Sequence, residues 1–112
     1  MVNSVKTHAG EKFSHPKGGY TYLVVDVTLK NVASGTHNAS SVLMFTLKDQ
    51  TGQRYTETIT AFAKASPDGK VKSGDLLRGE LVYEVPSSMH AFTLAFAPRF
   101  LTNEMAEWQI TV

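Results

Sequence analysis

The chain has 112 residues, of which 42% are hydrophobic and 19% charged, with a formal net charge of +1. This length fits one domain spanning residues 1–112, and the composition is that of a globular protein. A charge so close to zero offers no strong field for a polyanion, so we expect no nucleic-acid partner. The absence of cysteine excludes disulfides, iron–sulfur clusters, blue-copper sites and a cysteine nucleophile.

Alternating apolar and polar residues predict strands in the first half of the chain. The pattern is weak in VNSVKTH (residues 2–8) and strong in YTYLVVDVTLKN (20–31). In SSVLMFTLKD (40–49) the same alternation predicts that Leu43, Phe45 and Leu47 face inward. QRYTETITAF (53–62) is rich in Thr, Tyr and Ile, which favours another strand.

The second half continues this pattern with LLRGELVYEVP (76–86), AFTLAF (91–96) and EWQITV (107–112). No long segment has helical periodicity. The nearest approach is LTNEMAEW (101–108), where Thr102 or Asn103 would cap one short turn. About seven strands separated by turn residues predict an all-β sandwich or a small barrel.

The inward positions of these strands define one predicted core. Its expected members are Leu23, Val25, Val27, Leu29, Phe45, Leu47, Leu81, Tyr83, Phe92, Leu94, Phe96 and Trp108. Gly79 falls on the same face as Leu81 and Tyr83, although a glycine packs nothing there. We expect a bulge, a positive φ, or a large neighbour such as Trp108 or a Phe to offset it.

Four segments in order resemble a known family: YLVVDVTLKN (22–31), FTLKDQTGQRY (45–55), GDLLRG (74–79) and GELVYEVP (79–86). The set is similar to the immunoglobulin-like domain of unknown function found on bacterial lipoproteins and cell-surface proteins. That group resembles, in fold, a secreted immunogenic protein of mycobacteria. The resemblance implies an immunoglobulin-like antiparallel β-sandwich of about seven strands, outside the cytoplasm, with no catalytic residues to transfer. A lipid on an upstream cysteine, common in the family, would belong to a removed segment.

Histidine and methionine are the residues that would bind a metal in this chain. The candidates for soft Cu(I) are His8, His15, His37, His90, Met44, Met89 and Met105. Met89 and His90 are the sharpest pair, but neighbours in a strand point to opposite faces. We therefore predict no metal site and no cofactor, and keep copper handling as the alternative function.

The remaining polar residues carry no catalytic motif. Glu80 and Glu84 lie on one strand with their Cα atoms about 13 Å apart, too far for a glycosidase pair. Asp26 is expected to be an outward residue or a cross-strand partner for a Lys or Arg. No Gly-x-Ser-x-Gly and no phosphate-binding glycine loop occurs. Tyr20 and Tyr22 are predicted on a sheet surface, where they would stack on sugar or contact protein.

These observations predict a non-catalytic binding or structural module that is secreted or anchored at the cell surface. Its partner would be a protein or a cell-envelope component, and residues 32–41 and 63–74 are the best binding loops. The start MVNSVKTHAG lacks an apolar signal region, and no apolar run reaches membrane-spanning length. Either the protein is cytoplasmic or its targeting segment was removed; given the family resemblance we expect a removed targeting segment, and membrane attachment only through a removed anchor.

Overall fold

The computed structural model describes residues 1–11, 15–32, 34–60, 62–97 and 106–112. Within them the chain forms nine strands and one helical turn. The elements are β1 (Val2–His8), β2 (Tyr20–Lys30), β3 (His37–Ala39), α1 (Ser41–Met44), β4 (Phe45–Asp49), β5 (Arg54–Tyr55), β6 (Gly69–Val71), β7 (Leu76–Pro86), β8 (Ala91–Phe96) and β9 (Ala106–Thr111). The predicted caps Thr102 and Asn103 lie outside the described residues.

The described strands pair antiparallel in three sheets, as the all-β prediction requires. One sheet has the order β1-β2-β7, a second has the order β5-β4-β8-β9, and β3 pairs with β6 in a short third sheet. The pairing of β2 with β7 is the longest, running from Tyr20 opposite Pro86 to Lys30 opposite Leu76. The two larger sheets face each other and enclose the core, so the chain is an antiparallel β-sandwich.

The core contains the residues that the alternation placed inward. Leu23, Val25, Leu47, Leu81 and Leu94 are completely buried in one cluster drawn from both large sheets. All the predicted core residues are buried except Phe96 and Trp108, which are half-buried and pack against the cluster. Phe96 is less covered because it is the last residue of β8, and Trp108 because it lies on β9, the edge strand of the second sheet.

Two sequence predictions of strand fail, for different reasons. Residues 41–44 form the single turn α1, so Leu43 is exposed and does not face the core. Beyond Tyr55 the chain leaves β4 and crosses to the edge of β7. There Glu57 forms an isolated backbone β-bridge with Tyr83, and the Thr58 amide donates to the Val82 carbonyl. The Thr- and Ile-rich composition of this stretch favoured strand, but the chain changes sheets here.

Residues 56–60 and 62–68, which we call the crossover segment, wrap around the edge of β7. The Glu80 amide donates to the Ala65 carbonyl at 3.1 Å. A Cβ on Gly79 would lie 2.5 Å from both the Ala65 carbonyl oxygen and the Pro67 nitrogen. The expectation that an aromatic ring fills this space is wrong: the backbone of the crossover segment occupies it, and only glycine permits that approach.

Removing core volume should destabilise the sandwich strongly. Val25→Ala or Leu81→Ala should lower the free energy of unfolding by about 2–4 kcal/mol, because both side chains are completely buried. Val42→Ala, at an exposed position, should change it by less than about 0.5 kcal/mol. Urea unfolding measures all three, and equal midpoints for the core and surface variants would refute the assigned core.

Substitution of Gly79 tests the backbone contact separately. Gly79→Ala and Gly79→Val should each lower the free energy of unfolding, the valine variant by roughly 3 kcal/mol, because the Cβ meets backbone that cannot rotate away. Gly18 has no atom within 4 Å of an added Cβ, so Gly18→Ala is the matched control. An unchanged urea midpoint for Gly79→Val would show that the crossover segment does not press on β7.

Candidate binding surface

The two segments predicted as binding loops meet at one end of the sandwich. β3 belongs to the first segment and β6 to the second, and they pair with His37 opposite Val71 and Ala39 opposite Gly69. We call residues 30–32, 34–44 and 68–76 the loop end. The sequence predicted loops in both places, but no local signal indicated that they pair with each other.

Buried polar side chains fix the loop end. The side-chain amide of Asn31 donates to the carbonyl oxygens of Gly35 and Val71 at 3.0 and 2.9 Å. The Asp68 carboxylate accepts a 2.6 Å hydrogen bond from the Ser41 amide and a longer one from its hydroxyl. Asn31 and Ser41 are each only 1% exposed, and the Asn31–Val71 bond is buried, so these residues hold the loops in one conformation although Asp68 itself is exposed.

The crossover segment covers the outer face of the first sheet. Phe62 stacks on the His8 ring with centroids 3.9 Å apart and is tilted against Tyr22 at 5.5 Å. Tyr22, Val24 and Val82 are consequently buried in a second small cluster. The prediction that Tyr22 is a surface aromatic is therefore wrong, because the crossover segment covers it. Tyr20 remains half-buried with the Lys17 ammonium 4.1 Å from its ring centre.

An open cleft of about 340 Å³ lies between the crossover segment and β7. Its lining includes Thr58, Ile59, Lys64, Asp68 and Glu80. The cleft is shallow, and the Glu80 carboxylate already accepts the Lys64 amide at 2.7 Å. It offers hydroxyl groups and charges but no ring to stack on a sugar, so it supports no specific ligand class.

Three buried polar atoms near the crossover lack a hydrogen-bond partner among the described residues: one Glu57 carboxylate oxygen, the Thr60 hydroxyl and the Tyr83 hydroxyl. Glu57 and Tyr83 lie directly opposite each other in a β-bridge. Burial, and secondarily the Glu57 charge, raises the pKa of Tyr83 far above its usual value. The phenol therefore stays neutral and cannot act as a base near neutral pH.

Two further carboxylates, Asp26 and Asp49, are held by structural donors. Asp26 accepts two hydrogen bonds from Arg78, at 2.9 and 3.0 Å, and one from Asn3, and these donors lower its pKa. This confirms the predicted cross-strand partner. Asp49 accepts bonds from Thr51 and Tyr55 in the turn after β4, which lower its pKa to about 2. Both carboxylates remain ionised near neutral pH.

The histidines lie on separate elements. His8 Nδ1 accepts the Gly10 amide at 2.9 Å, and His37 Nε2 lies 3.1 Å from the Ser34 carbonyl oxygen. His90 Nδ1 lies 3.0 Å from the Val112 carbonyl oxygen. The described residues contain no group of three or more His, Asp or Glu side chains placed to hold a metal ion. Met105 lies outside the described residues.

Met89 and His90 both line one open cleft of about 280 Å³, but Met89 packs against the core whereas His90 is exposed. They precede β8 in a turn, where the Met89 amide donates to the Pro86 carbonyl, so the strict alternation of a strand does not apply. The two side chains supply one thioether and one imidazole, which is an incomplete set for tight copper binding.

We predict no tight intrinsic metal site. Titration with Cu(I) or Zn²⁺ should give no stoichiometric submicromolar binding, because two potential ligands at an open cleft hold a metal ion weakly. His90→Ala should leave the titration unchanged, with His37→Ala as the control. A single stoichiometric site that disappears only in His90→Ala would instead establish the copper-handling alternative.

Comparison with known proteins identifies one matching family model. The family model described as domain of unknown function DUF4352 matches residues 1–106. No curated protein matches the chain in sequence. Among the described residues, none of the helical structure is long and apolar enough to cross a membrane.

Three crystal structures share the fold along nearly the whole chain. A candidate lipoprotein of Bacillus subtilis, ycdA, is 17% identical with a TM-score of 0.80, covering 98% of this chain and 35% of that protein. The Bacillus subtilis yjhA protein is 17% identical with a TM-score of 0.77, and the match covers 99% of this chain and 88% of that protein. An uncharacterized β-sandwich protein of Clostridium difficile is 11% identical with a TM-score of 0.60, and the match covers 97% of this chain and 82% of that protein.

These similarities support the β-sandwich and the predicted family of bacterial domains. The chain spans only about a third of the first of these proteins, 35% of its length. At such low identities the likeness concerns the fold alone. None of the three connects the chain with the secreted mycobacterial protein, and that part of the resemblance stays a prediction.

Proposed function

We propose, on the premise that this chain belongs to the DUF4352 family of domains of unknown function, that it is a non-catalytic extracytoplasmic binding module. The observation that carries the proposal is the match of 98% of this chain to a 35% portion of a candidate lipoprotein. A domain that recurs as a portion of a larger envelope protein is suited to holding or contacting another component.

The loop end supports a binding role more strongly than any cleft. Its backbone is fixed by Asn31 and by the Asp68–Ser41 contact, so a partner that binds there meets a preorganised surface. The ionised carboxylates Asp26 and Asp49 are occupied by structural hydrogen bonds. The described residues do not bring together a nucleophile, a base and an oxyanion donor, which favours binding over catalysis.

Copper handling is the second candidate, and one observation favours it. Met89 and His90 line the same cleft, so a third ligand from a partner or from another part of the protein would complete a Cu(I) site. The His90→Ala titration described above tests this possibility in the isolated chain.

The cellular location and the binding surface can be tested together. In intact cells that make the protein, a membrane-impermeant amine-reactive biotin reagent should label it, because its exposed lysines would lie outside the cytoplasm. A benzophenone amino acid replacing Leu43, at the loop end, should then cross-link an envelope component. The same group replacing Glu107, exposed on β9, should give much less product.

Two results would contradict the proposal. Labelling only after the cells are lysed would place the protein inside the cell. Equal cross-linking from positions 43 and 107 would show that the loop end is not a preferred contact surface.

A further inference from the structure

The loop end exposes apolar side chains that a folded domain normally covers. Among the described residues six large hydrophobic side chains are more than half exposed. Four of them belong to the loop end, and we group them as two pairs: Val32 at 59% and Leu76 at 65%, which follow the hydrogen-bonded residues Asn31 and Asp75, and the neighbours Val42 at 60% and Leu43 at 59%. Met1 is near the same end, and only Ile59, beside the middle of β7, lies apart.

The local structure imposes this exposure. Ser41 and Met44 are the buried residues of the single turn α1, so Val42 and Leu43 must point away from the core. Ser41 is held in turn by the Asp68 carboxylate. Val32 follows the buried Asn31, and Leu76 begins β7 opposite Lys30. The apolar residues are thus displayed by fixed backbone, and grouped exposure of this kind marks an interaction surface.

Three lysines belong to the same loop end. Lys30 lies opposite Leu76 in the register, Lys70 lies opposite Asn38, and Lys72 follows β6; all three are exposed. Among the described residues of the loop end the carboxylates are Asp75 and Asp68; both are exposed, and Asp68 also accepts hydrogen bonds from Ser41. Three lysines therefore stand against two carboxylates there, a small excess of positive charge.

We propose that the loop end docks on an anionic lipid bilayer. The two apolar pairs would enter the boundary between head groups and acyl chains, and the three lysines would contact lipid phosphates. Shallow apolar insertion and electrostatic attraction are each weak, and together they hold a protein at a membrane surface. This inference rests on the proposed function and names the envelope component as the lipid surface.

The position of β1 agrees with this orientation. The Met1 amine and carbonyl are hydrogen-bonded to Thr28 near the end of β2, so β1 starts at the loop-end side. If a lipid anchor precedes β1, as the proposed function allows, it would hold the loop end close to the bilayer.

Vesicle flotation tests the proposal directly. The chain should float with vesicles of equal parts phosphatidylglycerol and phosphatidylcholine, should not float with phosphatidylcholine alone, and should be released by raised salt. Val42→Ser/Leu43→Ser should reduce the bound fraction about fivefold. The triple variant Lys30→Gln/Lys70→Gln/Lys72→Gln should reduce it similarly.

Matched controls use the same chemistry elsewhere on the surface. Ile59→Ser removes the exposed apolar residue outside the loop end, and Lys6→Gln/Lys17→Gln/Lys64→Gln removes the same charge from exposed positions. Both should bind vesicles like the unmodified chain. Circular dichroism should give the same folded spectrum for every variant, because all the changed side chains are exposed.

The outcomes separate this inference from the proposed function. Failure of the unmodified chain to float with anionic vesicles, or equal loss in the control variants, overturns the lipid surface. A protein cross-linked specifically from position 43 without vesicle binding would also overturn it, while the binding module stands. Specific vesicle binding by a protein found only inside cells would leave the lipid surface intact and contradict the extracytoplasmic location.

Discussion

The antiparallel pairing of β2 with β7 is the constraint on which the other features depend. It joins Tyr20–Lys30 to Leu76–Pro86 over their whole length and is buried on both faces. The inner face carries completely buried residues such as Val25 and Leu81. The outer face would expose Val24 and Val82 to water unless another segment covered it. The crossover segment supplies that cover, so its path follows from the apolar character of both faces of the strand pair.

Covering β7 on both sides has a steric consequence at Gly79. The crossover segment passes from the outer face around the edge of β7, and its backbone at residues 65–67 then lies against the inner side of that strand. A side chain there would push the two segments apart, and Pro67 could not remain buried. From that point the chain continues through Asp68 into β6, so the close approach at Gly79 also places one half of the loop end.

The loop end combines polar atoms that are buried with apolar side chains that are exposed, the reverse of the usual arrangement. The hydrogen bonds of the buried residues Asn31 and Ser41 give the loops a fixed conformation without an apolar core of their own. This leaves Val42, Leu43 and Leu76 free to face outward. A rigid surface of this kind loses little conformational entropy on binding, which is the physical reason for assigning the contact role to this end of the sandwich.

By itself the sequence determined the all-β class, the inward residues of β2, β4, β7 and β8, the turns, and the partnership of Asp26 with a basic residue. These depend on period-two alternation and turn chemistry, which are local properties of the chain. Only the tertiary structure decided that Tyr22 is buried, that Leu43 is exposed, that Met89 and His90 share a cleft, and that the two loops pair. Each of these features depends on contacts between segments that are distant in sequence. Whether a side chain is buried depends on which segment covers its strand, and the alternation within one strand does not specify that segment.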